Sequence, residues 1–160
     1  VINNANFAAS GAGSLITTVG GATVTLGGGT VSGPMTIANN SFVRQTGNLT
    51  YNGVLSMASG GNVTDLQIDG VRSVTGSATI NMSNTQANRI VAANGPGDQF
   101  TLGNTVTLQG AGQLGAGTAL AVVNNGTVIA TQSAGLRVET AAGVTLYLAS
   151  AQARYFCTAA

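Results

Sequence analysis

Sliding the stretch from Phe100 to Leu148 along itself by 22 positions lays apolar residues on apolar residues. Phe100, Val122 and Val144 align (122 − 100 = 144 − 122 = 22), as do Val106 with Val128, Leu108 with Ala130 and Leu114 with Leu136. A fixed period of this length is a strong constraint, because each unit must then occupy an equivalent place in a stack. Between the aligned positions lie short β-branched runs with alternate apolar residues, Thr105-Val106-Thr107-Leu108, Thr127-Val128-Ile129-Ala130 and Val144-Thr145-Leu146, divided by Gly, Asn and Ala-Gly turns. A unit made of strands with no helix is one coil of a β-solenoid. The expected fold is therefore all-β, with coils of about 22 residues over 1–148.

Earlier segments fit the same plan. Ala22-Thr23-Val24-Thr25-Leu26 alternates with period two, placing Val24 and Leu26 on one side and Thr23 and Thr25 on the other. Val31, Met35 and Ile37 continue the inward row. Pro34 lacks an N–H and belongs at a corner rather than in a ladder. Asn39-Asn40 suits a corner that needs left-handed backbone. Ala78, Ile80 and Met82 stand 22 positions before Phe100, Leu102 and Asn104, which predicts that these segments stack; longer loops are expected at Asn84–Asn88 and at Asn94-Gly95-Pro96-Gly97. Residues 149–160 read as a cap or tail. Ala149 to Phe156 has no Gly and the strongest helix propensity in the chain, so a short C-terminal helix covering the last coil is expected there.

Composition narrows the function classes. Only 6% of residues are charged, against roughly 25% in an ordinary domain, and His and Lys are absent. The outer surface must consist of Thr, Ser, Asn, Gln and Gly, and a net charge of +1 provides no field to gather phosphate, which argues against nucleic acid. With 44% hydrophobic residues the chain folds despite its 24 glycines. No apolar run is long enough to cross a bilayer as a helix. A start at Val1 reads as a mature fragment or a piece of something longer. The single Cys157 has no internal disulfide partner and reads as a free thiol or an intermolecular bridge; such sparse cysteine suits a protein exported unfolded.

Gly110-Ala111-Gly112-Gln113-Leu114-Gly115, followed by Leu120-Ala121-Val122-Val123-Asn124-Asn125-Gly126-Thr127-Val128-Ile129-Ala130, resembles the repeats of large bacterial surface proteins, the autotransporter passenger domains and filamentous-haemagglutinin-like adhesins. There a G-x-G-x-L-G element precedes L-x-x-x-N-x-G-x-I-x-A. The likeness covers about a third of the chain. It implies a right-handed parallel β-helix in an exported protein at the bacterial outer surface or outside the cell, acting in adhesion or as a stalk. It brings no functional residues, since such repeats are scaffold.

The expectation is accordingly a non-catalytic structural or adhesive module, with no catalytic, cofactor-binding or metal-binding residues. Its two ends being unlike surfaces, self-contact would be head-to-tail and open-ended, giving a fibre that Cys157 could reinforce. Glycan or host-surface contact is a further expectation. The alternative is a polysaccharide-active β-helix enzyme or a phage-type glycan binder, for which Asp65 and Asp69 are the candidate carboxylates. Their i, i+4 spacing puts both on one side of a strand. They flank Leu66 and Ile68, which must point inward, so Asp65, Gln67 and Asp69 read as solvated alternate positions. The chain has no His and no Cys pair for zinc or a nucleophilic triad. Gly95-Pro96-Gly97-Asp98 approaches a calcium-binding turn but occurs once, and Gly27-Gly28-Gly29 has no Lys to make a phosphate cradle. Thr23/Thr25 and Thr105/Thr107 form the Thr-x-Thr pairs of ice-binding solenoids, yet Thr127 and Thr145 continue them only singly, which favours plain strand propensity. Sequons such as Asn48-Leu49-Thr50 and Asn62-Val63-Thr64 follow from composition.

Overall fold

The computed structural model describes residues 7–8, 16–139 and 146–148, all strand, turn or loop. The cap or helix expected over 149–160, Val144 and Cys157 lie outside the described residues. The chain winds repeatedly through three faces in the same order, every described pairing being parallel. On the first face lie β1 (Phe7–Ala8), β4 (Gly29–Ser32), β9 (Val71–Thr75), β12 (Gln99–Leu102), β15 (Ala121–Asn124) and β18 (Leu146–Leu148). The second carries β2 (Ile16–Thr17), β5 (Met35–Ala38), β10 (Ala78–Met82), β13 (Thr107–Gly110) and β16 (Thr127–Ala130). The third carries β3 (Thr23–Leu26), β6 (Phe42–Gln45), β8 (Thr64–Ile68), β11 (Asn88–Ala92), β14 (Gly112–Leu114) and β17 (Leu136–Val138). The long strand β7 (Leu49–Ala58) serves two faces, pairing with β4 through its first half and with β5 and β10 through its second. Gly53 is its corner, passing the Gly33 carbonyl so closely that a Cβ would stand 2.3 Å from the oxygen.

Period-two patterning drives the packing. Within β5, Met35 and Ile37 are buried while Thr36 and Ala38 are not; β10 repeats this with Ala78, Ile80 and Met82 inward. Parallel register then stacks like on like, as in the columns Met35, Leu55, Ile80, Leu108, Val128 and Val43, Leu66, Ile90, Leu114, Val138. Burial of these side chains, each worth about 1.5–3 kcal/mol, is shared between coils, so no coil is stable alone. Among the described residues the interior holds an apolar void of about 10 Å³ lined by residues including Val31, Tyr51 and Leu55.

Coils average about 23 residues, but the period is not constant. Thr23 pairs with Phe42 (42 − 23 = 19), whereas Ile80 pairs with Leu108 (108 − 80 = 28). Phe100 does pair with Val122. The other expected pairs are displaced by two: Val128 meets Leu108 rather than Val106, Leu114 meets Val138 rather than Leu136, and Val122 meets Leu146 rather than Val144. Ala78, Ile80 and Met82 are on the second face and Phe100 and Leu102 on the first, so those segments do not stack. The cause is corner length. The loops Ser83–Ala87 and Ala93–Asp98 and the turn Thr131–Gly135 lengthen some coils, while an even displacement keeps the inward side inward. Pro34 and Asn40 occupy corners as expected, Asn40 with φ 61.

One interior polar group has a measurable consequence. The buried Tyr51 phenol donates towards the carbonyls of Gly33 (2.9 Å) and Val54 (3.0 Å). Burial pushes its pKa up to about 12 despite a backbone hydrogen bond from Met35. The folded state thus favours the neutral phenol: that stability is fully present below pH ~10, the unfolded value, and is lost as pH rises through about 12. No Lys titrates in this window. Unfolding free energy should fall by about 1.4 kcal/mol per pH unit between these limits. Denaturation of Tyr51→Phe at the same pH values should give a flatter dependence.

Candidate functional site: the charged third face

Parallel register on the third face sets Phe42, Asp65, Arg89, Gln113 and Arg137 in one outward column. Neighbours in such a column are about 4.8 Å apart, which lets Arg89 lie against Asp65 in a fork. Its Nε donates to Asp65 Oδ1 and its Nη2 to Oδ2, both at 2.8 Å. These hydrogen bonds raise the Arg89 pKa. The Asp65 side chain is only 3% exposed, so the expectation of a solvated carboxylate is corrected: an outward position has become a closed one because Arg89 covers it.

Asp69 is held differently. Arg44 Nε reaches its Oδ2 at 3.0 Å, Asn94 Nδ2 its Oδ1 at 2.7 Å, and Arg44 Nη2 donates to Asn94 Oδ1 at 2.6 Å. This triangle ties three successive coils together. Arg137 and Glu139 form a third ion pair. Asp98, in the loop between β11 and β12, is buried and accepts from three backbone N–H groups, those of Gly70 (2.6 Å), Asn94 (2.8 Å) and Gly95 (3.3 Å). It therefore closes its own loop and clamps it to the preceding coil. Asp98→Ala would strand these donors and should lower stability by about 2–4 kcal/mol in urea titration, with Asp98→Asn, which keeps one acceptor, recovering part of it.

All four carboxylates of the chain are thus engaged. Asp65 and Asp69, four residues apart along an extended strand, are separated by about 13 Å of backbone, beyond the 5–9.5 Å of paired glycosidase carboxylates. No group of three or more potential metal ligands occurs among the described residues. Arg72, on the first face, has no carboxylate partner among the described residues; its Nη1 donates to the Val71 carbonyl at 3.2 Å.

Sequence reasoning singled out Asp65, Asp69 and Asp98 but not Arg44, Arg89 or Asn94. The pairings span 24 and 25 residues and fall outside the 22-residue lag, so only the local coil lengths could have shown them. No helix among the described residues is long and apolar enough to cross a membrane. Compared with protein-family models, curated proteins and solved structures, the chain matches none.

Proposed function

We propose that this chain is a non-catalytic structural and adhesive module of a bacterial cell-surface or extracellular protein, of the kind formed by autotransporter passenger and filamentous-haemagglutinin-like solenoids. The observation that carries the reading is the commitment of Asp65, Asp69 and Asp98 to contacts between coils, with Glu139 paired to Arg137 two residues away. A general acid or base needs a carboxyl group free to exchange a proton with substrate, whereas Asp65 and Asp98 are buried against their donors and Asp69 is held by two side chains. What the surface offers instead is a rigid, nearly neutral set of strands suited to contact. Export agrees with the low charge and single cysteine. Association would run head-to-tail, because a stack of parallel strands has two unlike ends and such contacts do not close.

The test is incubation of the purified chain with neutral and acidic polysaccharides, scoring chain cleavage and retention separately, with electron micrographs of the same preparation. Retention without cleavage, or filaments, supports the module. Cleavage that Asp65→Asn or Asp69→Asn abolishes would overturn it in favour of an enzyme.

A further inference from the structure

The outward side of the second face carries no charge. Register aligns Val54, Thr79, Thr107 and Thr127 in one column and Thr36, Ser56, Asn81 and Gln109 in the next. The three threonines are 28 and 20 residues apart (107 − 79; 127 − 107), so a constant 22-residue lag conceals them. The real column is not the Thr-x-Thr pair read from sequence: Thr105 lies before β13, its hydroxyl donating to the Gly76 carbonyl at 2.7 Å. By contrast, the hydroxyls of Thr36, Ser56, Thr79, Thr107 and Thr127 engage no partner among the described residues, and all five residues are partly open to solvent. On the first face, Thr50 and Thr75 use their hydroxyls on each other, and Thr75 also on the Leu49 carbonyl.

We propose that this face binds the surface of ice. Hydrogen bonding between coils fixes the column repeat at about 4.8 Å, and alternate residues along a strand are about 6.7 Å apart. Both spacings are near those of oxygen rows on the prism faces of hexagonal ice. Threonine presents a methyl and a hydroxyl at Thr79, Thr107 and Thr127 in the first column and at Thr36 in the second, where Ser56, Asn81, Gln109 and Ile129 follow; Val54, 43% exposed, is its isostere. Methyl groups order the water between them while the free hydroxyls anchor it, and a backbone held in a ladder does not have to reorganise. Among the described residues the charged side chains, which would hold their own hydration shells, lie away from this face. Six strands of this face span about 300 Å² (six repeats of about 4.8 Å by about 10 Å), short of the roughly 800 Å² per partner that a stable protein dimer buries, so a second copy is the poorer occupant. A saccharide ring would find no aromatic side chain in either column.

The experiment freezes the full chain slowly in a growing polycrystalline ice mass and measures its partition between ice and liquid, beside a reference protein that does not bind ice. Thr107→Arg tests the face; Thr101→Arg, outward on the first face, is the control, and circular dichroism establishes that both variants fold. Enrichment in ice for the parent chain and Thr101→Arg, falling to the reference level in Thr107→Arg, is expected. Exclusion of the parent chain from ice, or equal partition of the two variants, would overturn the proposal. So would retention on insoluble chitin or cellulose that Thr107→Arg removes while ice partition stays at the reference level.

Discussion

Replacing Gly110 by alanine should destabilise the protein by about 4 kcal/mol, a large part of the 5–15 kcal/mol that holds a domain folded. Gly110 ends β13, has φ +114 and is buried in register between Met82 and Ala130. An added Cβ would lie 2.0 Å from the Met82 carbonyl oxygen, a backbone atom that cannot step aside without breaking the ladder of the preceding coil. Gly117 separates this clash from backbone preference alone: its φ is +70 but a Cβ there would meet nothing within 4 Å. Gly117→Ala should cost about 1 kcal/mol, the ordinary penalty of left-handed backbone. Urea titration of both variants checks the difference, and equal losses would show that the corner is not tightly packed.

Arg89→Ala should cost about 1.5–3 kcal/mol, because it removes the two charge-assisted hydrogen bonds of the Asp65 carboxylate and leaves that charge without a partner. Removing the whole pair is a different matter. Asp65→Leu/Arg89→Leu places apolar side chains beside Phe42 in the same column and should come within about 1 kcal/mol of the parent, since the cost lies in stranding a charge. Thermal unfolding of the two variants separates the cases. If the double variant were as unstable as Arg89→Ala, the pair would contribute more than its own desolvation.

Much of the fold was legible because side-chain alternation is a local property. Val24 with Leu26, Met35 with Ile37, and Leu66 with Ile68 declare their inward side whatever the neighbouring coil does. Register is not local. It depends on how many residues each corner consumes, and Ser83–Ala87, Ala93–Asp98 and Thr131–Gly135 differ in that respect with no change in strand pattern. A 22-residue lag recovered Phe100 with Val122 and displaced its neighbours by two, an error that period-two alternation hides. The charged face was hidden for the same reason. Asp65 looks solvated until the coil length places Arg89 over it, and Asp69 looks available until Arg44 and Asn94 arrive from the coils on either side.

Cross-linking distinguishes the stack with variable coils from one with a constant period. Register sets Thr107 beside Thr127, about 4.8 Å away and within the 4.4–6.8 Å that a disulfide spans between Cα atoms. Thr105, the partner that a constant 22-residue period requires, lies in the turn before β13, two residues out of register with Thr127 and with its hydroxyl turned to the Gly76 carbonyl. In a Cys157→Ser background, Thr107→Cys/Thr127→Cys should oxidise to an internal disulfide seen as a two-dalton mass loss, while Thr105→Cys/Thr127→Cys keeps both thiols. A disulfide in the second variant and none in the first would contradict the stack.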